Sequence, residues 1–387
     1  VSYWSSCVVH LYKCDSCLQK APATRDIVCE ILDGAESISL ILTMALLSLQ
    51  SNRCIFSFDM FTLNSYAKVN LSLQIVGIRD DGYHILSSIM SYVDLFDLIH
   101  IKRNNLNNPT LFVLGRFGKH FNNNDLDALH TNIIIKTLEY LSSKYSIPTG
   151  FDIVLEKNIP IASGMGGGSS NAAAMIRFCN EYFGLGLSIS EMMIDAVKIG
   201  ADVPFFINDR ISLCEGIGEI VTPFNVQDYP IYILILNPMV EISTIEAYRG
   251  LDDKNGSSGV LEHIDNVSVL SKIRQSKTLS IEELLHFAKL VGNDLIRSSS
   301  EIAPVIPDIV NNLESMDRTL LSQMSGSGST CFALYDSYDA AKESLHNMRR
   351  LYPFAFGGVF KFLTKINHRA IDHSSLYDRW KNQKMVM

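Results

Sequence analysis

The seven residues from Gly164 to Ser170, GMGGGSS, hold four glycines and two serines and run directly into an alanine-rich, helix-forming stretch. A helix N-terminus carries unpaired N–H groups and about half a positive charge, so glycines that remove Cβ atoms there let an anion reach those groups. Phosphate is the natural occupant. The hydroxyls of Ser169 and Ser170 stand where they can bond a phosphate oxygen or a magnesium ion. The loop lacks the lysine of GxxxxGK[ST] and does not fit GxGxxG with its ribose-binding acid, which disfavours the Walker and dinucleotide-fold readings. With no lysine in the loop, neutralising the phosphates falls to magnesium and to basic residues from elsewhere.

Three further places could take part. Asp202, in GADVPFF, is expected between a helix that ends at Gly200 and a strand that begins after Pro204, where it could accept a proton from a substrate hydroxyl. Taken singly, an aspartate at such a junction is more often a turn residue bonding its own backbone. The run Gly326-Ser327-Gly328-Ser329 is a second small-residue loop leading into a strand, a pattern also common in hairpins. Lys68, in YAKVN, falls in an expected strand, where a lone lysine usually points to solvent.

In their order along the chain, YAKVNLSLQIVGIRDDGYH, IPIASGMGGGSSNAAA, GADVPFF and SGSGSTCFALY resemble the successive motifs of the GHMP kinase superfamily. The first is similar to the AKxNL…G.R.DGYH pattern of its branch acting on a cytidylated methylerythritol. The resemblance covers about residues 63 to 371. It implies an α+β chain in two domains: a ribosomal protein S5 domain 2-like ATP-binding domain over 63–224 and a ferredoxin-like domain over 225–371. Residues 1–62 are then an extension of unknown role, and 372–387 a tail.

The resemblance also implies an activity, the ATP- and Mg²⁺-dependent phosphorylation of the 2-hydroxyl of 4-diphosphocytidyl-2-C-methyl-D-erythritol in the non-mevalonate isoprenoid pathway. It makes Asp202 the catalytic base, with Lys68 beside it favouring the ionised carboxylate. Asn132 and Lys157 would line the adenine pocket. Pro160, Ile161, Ala162, Ser163, Gly164, Met165, Gly166, Gly167, Gly168, Ser169 and Ser170 would wrap the triphosphate. Tyr83 and His84 would hold cytosine and Asn70 the diphosphate or erythritol, while Thr244, Gly326 and Gly328 would face the substrate. No protein cage for a metal is implied; Mg²⁺ travels with ATP, Ser170 being its candidate contact. The chain departs from the family pattern at Ile161, Ala162 and Met165, and has Thr131 where an aspartate is usual. Rival readings are a homoserine- or mevalonate-type kinase and a catalytically silent nucleotide-binding homologue.

The elements that must position these residues follow from periodicity. Apolar and polar residues alternate from Tyr66 to Val76, marking a strand, Asp81-Gly82 a turn, and SSIMSYVDLFDLIHIKR a further strand. NNPTLFVLG and GFDIVLEKNIPI read as strands around a helix carrying Ile133, Ile134, Leu138 and Leu141, capped by Thr131 or Asn132. After the glycine loop, Ala173, Ile176, Asn180 and Phe183 fall at helical spacing up to Gly184, and Ser188 with Glu191 forms a capping box for the next helix. YPIYILILNP is a buried strand, residues 280–315 are mainly helical, and LLSQMSGSGSTCFALYD is a hairpin. YDAAKESLHNMRRLYP is a helix and GGVFKFLTK a last strand. Strands and helices do not alternate regularly, which is α+β patterning.

Composition narrows the function. A net charge of -8 over 387 residues, without a basic run, argues against nucleic acid as a partner and leaves a small molecule. The apolar run Ser39 to Leu49 is too short to span a membrane and lacks a basic flank. Cys14 and Cys17 make a CxxC with no second ligand pair at zinc spacing. Six acids against four basic residues in 1–62 do not suit a transit peptide. The expectation is a monomeric or homodimeric enzyme of the bacterial cytoplasm, a plastid-like organelle being the alternative.

Overall fold

The computed structural model describes residues 60–104, 106–121, 130–227, 230–255, 267–368 and 371–372. The CxxC, the apolar run Ser39 to Leu49, almost all of the extension and all but the first residue of the tail lie outside the described residues. The described part begins with β1 (Met60–Asn70), a short break, and β2 (Gln74–Ile78), which returns as the 20-residue β3 (His84–Arg103). β1 therefore starts within the segment expected to be extension. It pairs antiparallel with β3 from Met60↔Lys102 to Asn70↔Met90, with a bulge between Tyr66 and Ala67.

β3 is the spine of the sheet because its length lets four more strands attach. β4 (Thr110–Leu114) lies parallel to β5 (Phe151–Glu156), β5 pairs with β3, and β6 (Ser212–Gly216) joins β3 and β7 (Ile220–Pro223). α1 (Ile133–Tyr145) and α2 (Gly167–Tyr182) cover this half, with α3 (Ile189–Ile199) and the one-turn α4 (Val203–Ile207) following. Ala172, Ala173 and Ala174 are buried with no bulk to hold α2 off β1, so the helix beds closely on the sheet. α1 is capped by Asn132, whose side chain accepts from Ile134 N at 3.0 Å, and α3 has the expected capping box.

Two expectations need correcting. The segment after Asp202 is helix, not strand: Pro204 occupies the first turn, where its missing N–H is harmless, and its fixed φ suits the helix. α2 also begins inside the glycine run, at Gly167, so Ser169 and Ser170 belong to its first turn.

The chain goes on through β8 (Asn225–Val226) to β9 (Tyr232–Asn237) and helices α5 (Thr244–Asn255) and α6 (Val267–Ser276). β10 (Thr278–Leu279), α7 (Ile281–Val291), α8 (Ile296–Ile302) and α9 (Val305–Glu314) come next. The hairpin β11 (Thr319–Met324) and β12 (Cys331–Tyr335), α10 (Tyr338–Leu351) and β13 (Phe356–Leu363) complete this half. The order β11-β12-β9-β13-β3-β1-β14 makes one continuous sheet, β14 (Ile371–Asp372) pairing with the start of β1. β13 joins the two halves through Phe362↔Val93 and Leu363↔Tyr92, so the sheet is not interrupted near residue 224.

Candidate active site

β5 leads into a loop that turns back on itself through Ala162 (φ 48°) and Gly164 (φ 73°) and ends at Gly166 (φ 67°), the N-cap of α2. Gly166 is held to glycine by its neighbours as well as its φ. A Cβ there would come within 2.7 Å of the Phe206 ring and 3.1 Å of Lys68 Cγ. The loop leans on the β11–β12 turn: the Ser325 hydroxyl donates to Gly164 O at 3.0 Å and accepts from Asn70 N at 3.2 Å. The first turn of α2 is thus fixed from both sides.

Lys68 and Asp202, far apart in sequence, meet with Nζ 3.5 Å from Oδ2. The lysine side chain is 4% exposed and the aspartate 37%, so the ammonium is held inside while the carboxylate faces the cavity. Lys68 Nζ also donates to Asn70 Oδ1 at 2.6 Å, and Asn70 Nδ2 donates to Ser88 Oγ at 2.8 Å. This chain fixes the Lys68 rotamer. Asp202, at the N-cap position of α4, makes no capping bond and keeps its oxygens for other use.

A cavity of about 720 Å³ runs past both groups and the α2 N-terminus. Lys68, Asn70, Asn132, Lys157, Pro160, Ile161, Ala162, Ser163 and Gly164 line it, together with Gly166, Gly167, Gly168, Ser169, Asp202, Thr244 and Gly326. Five expected residues stand elsewhere. Met165 is fully buried in the core, with only its carbonyl engaged toward the site through Lys68 N. Ser170 is turned inward and accepts from the Ser65 hydroxyl at 2.8 Å, because helical phase puts adjacent serines on different faces. Gly328 faces Met324, Ile242 and Ile306. Tyr83 is 59% exposed, and the His84 ring packs on Tyr248, centroids 4.7 Å apart.

Lys157 reaches the cavity wall but its ammonium is committed: Nζ donates to Asp97 Oδ2 at 2.7 Å and Ile159 O at 2.8 Å. Asp97 Oδ1 accepts from the N–H groups of Asn158 and Ile159. Asn171, its amide nitrogen turned inward, donates to Ser65 Oγ and Asp97 Oδ2. Burial pushes the Lys157 ammonium below the usual lysine range, against the pull of Asp97. This buried pair forms the floor under Gly167.

Sequence reasoning missed Tyr248 and the wall formed by His120, Phe121 and Ile133, and named Ser327 only as part of the second small-residue loop. Tyr248 follows Thr244 by four residues on α5, so the i, i+4 face of that helix was the available signal. Burial first, and then Asp202, raises the Tyr248 phenol above its usual range, keeping it a neutral hydrogen-bonding group.

The chain matches the model of the GHMP kinases N terminal domain over residues 132–210 and that of the GHMP kinases C terminal over 273–353. A 4-diphosphocytidyl-2-C-methyl-D-erythritol kinase of Prochlorococcus marinus (strain MIT 9215) is 34% identical over 75% of this chain and 90% of its own. The chain belongs to the GHMP kinase family. The same kinase from Clostridium tetani (strain Massachusetts / E88) is 33% identical over 75% of this chain and 96% of its own.

Solved GHMP kinase structures agree in fold. A 4-(cytidine 5'-diphospho)-2C-methyl-D-erythritol kinase superposes with a TM-score of 0.58 at 23% identity, over 78% of this chain and 99% of that one. A homoserine kinase from Cytophaga hutchinsonii gives 0.60 at 16% identity, over 82% and 99%. The fold is thus common to GHMP kinases of different substrates, and the sequence relatives carry the discrimination among them.

Proposed function

We infer that this chain is an ATP-dependent kinase that phosphorylates the 2-hydroxyl of 4-diphosphocytidyl-2-C-methyl-D-erythritol, a step of the non-mevalonate isoprenoid pathway. The observation that carries the mechanism is the Lys68–Asp202 pair opening on the same cavity as the N-terminus of α2. The N–H groups of that turn hold the phosphates, and Asp202 accepts or orients the proton of the attacking hydroxyl. Lys68 holds the carboxylate in place and offsets its charge near the phosphates. Positioning and charge stabilisation account for most of such a transfer.

Asn132, Pro160, Ile161 and the wall near His120 and Phe121 suit the nucleoside of ATP. Asn70, Thr244, Ser327 and Gly326 suit the acceptor, with the Thr244 and Ser327 hydroxyls 3.1 Å apart. The aromatic pair His84 and Tyr248, with Tyr83 nearby in sequence, is the assigned place for cytosine.

Mg²⁺ fits as an ion carried by ATP. Asp202 is the only carboxylate among the described cavity-lining residues, and no group of three potential ligands occurs among the described residues. Ser169, half-buried on the first turn of α2 and lining the cavity, replaces Ser170 as the hydroxyl able to touch the ion. The ion would supply charge neutralisation on the phosphates. Cytoplasmic residence belongs to this proposal, in keeping with the free, buried Cys179, Cys214 and Cys331.

The deciding assay is ADP release from MgATP with the cytidylated methylerythritol and with methylerythritol phosphate lacking cytidine, each for wild type and Asp202→Asn. Turnover with the cytidylated alcohol alone, falling by at least about a hundredfold in Asp202→Asn, supports the reading. Turnover of homoserine or mevalonate instead, or nucleotide binding with no turnover of any alcohol, refutes it.

A further inference from the structure

α4 has five residues, too few to hold its own position, yet it carries Asp202 at its N-cap. Its far end is where the fold grips it. The Tyr92 hydroxyl donates to Asn208 O at 2.7 Å and lies 3.1 Å from Phe205 O. Arg177 Nη1 donates to Phe206 O. His368 Nε2 donates to Asn208 O at 2.6 Å. Donors from β3, from α2 and from the segment that follows β13 therefore converge on the carbonyls that a helix end leaves unpaired.

We propose that Tyr92 and Arg177 are positioning residues that set where Asp202 stands by clamping the C-terminal end of α4. This rests on Asp202 being the base of the proposed reaction. Tyr92 lies directly across from Lys68 in the β1–β3 register, and its ring stacks on Phe205 with centroids 4.6 Å apart and planes at 28°. One side chain thus references the base helix to the strand that carries the lysine. Arg177 comes from α2, whose first turn is the phosphate site, and so references the same helix to the phosphates.

Arg177 is held without a carboxylate partner among the described residues, and burial lowers its guanidinium to about 10, still charged at neutral pH. A cation placed so is costly for stability alone but is favoured where helix carbonyls end. Phe206, whose carbonyl Arg177 holds and whose neighbour Phe205 stacks on Tyr92, fills the space under Gly166 with its ring. A shift of α4 would therefore move the loop, the lysine and the base relative to one another.

The test is steady-state kinetics of Tyr92→Phe, which keeps the stacking ring, and of Arg177→Met and Arg177→Lys, with thermal unfolding as a folding check. Each is compared on whichever acceptor the wild-type enzyme phosphorylates. A wrong acceptor assignment then shows in the wild type, and failure of the clamp only in the variants. The expected result is kcat lowered roughly ten- to a hundredfold in Tyr92→Phe and Arg177→Met, with both KM values within about threefold and partial recovery in Arg177→Lys. Added to Asp202→Asn, either change should cost little more, since a residue acting through the base has nothing left to position. Folded variants with kcat within about twofold of wild type, or losses that multiply with that of Asp202→Asn, would overturn the proposal. Should Tyr92→Phe fail to fold, the two Arg177 variants decide it by the same criteria.

Discussion

Gly164→Ala tests the contact on which the two halves of the site depend. A Cβ at Gly164 would lie 2.1 Å from Ser325 O and 3.0 Å from Gly328 O, whereas ordinary contact begins near 3.4 Å. Ser325 O cannot swing away freely, because it accepts from Gly328 N at 2.9 Å. The loops must separate, straining the Ser325 bonds to Gly164 O and Asn70 N. The positive φ costs about 1–2 kcal/mol for an L residue, and each lost hydrogen bond about 0.5–1.5 kcal/mol more. The expected loss is about 2–5 kcal/mol.

Gly184→Ala is the matched control. Its φ is 62°, but nothing lies within 4 Å of the added Cβ, so it carries the backbone cost of about 1–2 kcal/mol alone. Urea unfolding gives both stabilities, and kcat/KM for ATP and acceptor reads the site. A displacement on the order of 1 Å near the phosphates is worth up to about a hundredfold in rate, so Gly164→Ala should lose turnover while Gly184→Ala keeps it. Equal stability losses and equal turnover in the two variants would refute the back-to-back packing of the loops.

Two further outcomes follow from buried charge. Burial, then Arg177, depresses the His368 imidazole to about 3, so the folded protein holds it neutral where an unfolded chain would protonate it. Its contribution is full above about pH 6.5 and is lost as pH falls toward 3, by at most about 5 kcal/mol and less where water reaches the ring. His368→Gln should flatten that part of the wild-type Tm-against-pH curve, and parallel curves would count against it; Arg177 and Asp209 are the charged neighbours. Lys157→Met leaves the fully buried Asp97 without its cation and should lower stability by about 3–5 kcal/mol, read from the urea midpoint. A loss below about 1 kcal/mol would mean that the pair is solvated.

The strands around the site were legible because they alternate and end in turn residues, and the capping box at Ser188 and Glu191 marked α3 before any contact was known. α4 was not legible. Its five residues are too few to show a period, and Pro-Phe-Phe reads as the opening of a strand until Pro204 is seen in a first turn. The motifs were recognisable one by one, but what brings Lys68 to Asp202 is the long-range packing of β1 against α2 and of α2 against α4, which no local pattern encodes. The exchange of Ser169 for Ser170, and the inward turn of Gly328, depend on helical phase and loop packing, to which adjacent small residues are blind.

Charge placement explains how an acidic protein can hold a polyanion here. The loop has no lysine, and basic residues from elsewhere were expected to share in neutralising the phosphates. The lysines among the described cavity-lining residues are Lys68 and Lys157, and each already faces a carboxylate, Asp202 and Asp97 respectively. Neither is a free positive charge. In the proposed reaction the protein's own attraction for phosphate then comes chiefly from the peptide N–H groups at the start of α2, whose direction is fixed by Gly166 and by the buried pair beneath Gly167, with Mg²⁺ carried by ATP sharing the neutralisation. Such donors need no reorganisation as charge shifts during transfer. On that reading Lys68 acts on the proposed base more than on the phosphates. With its ammonium 3.5 Å from Asp202, it lets a carboxylate stand beside the phosphates without the repulsion that would drive them apart.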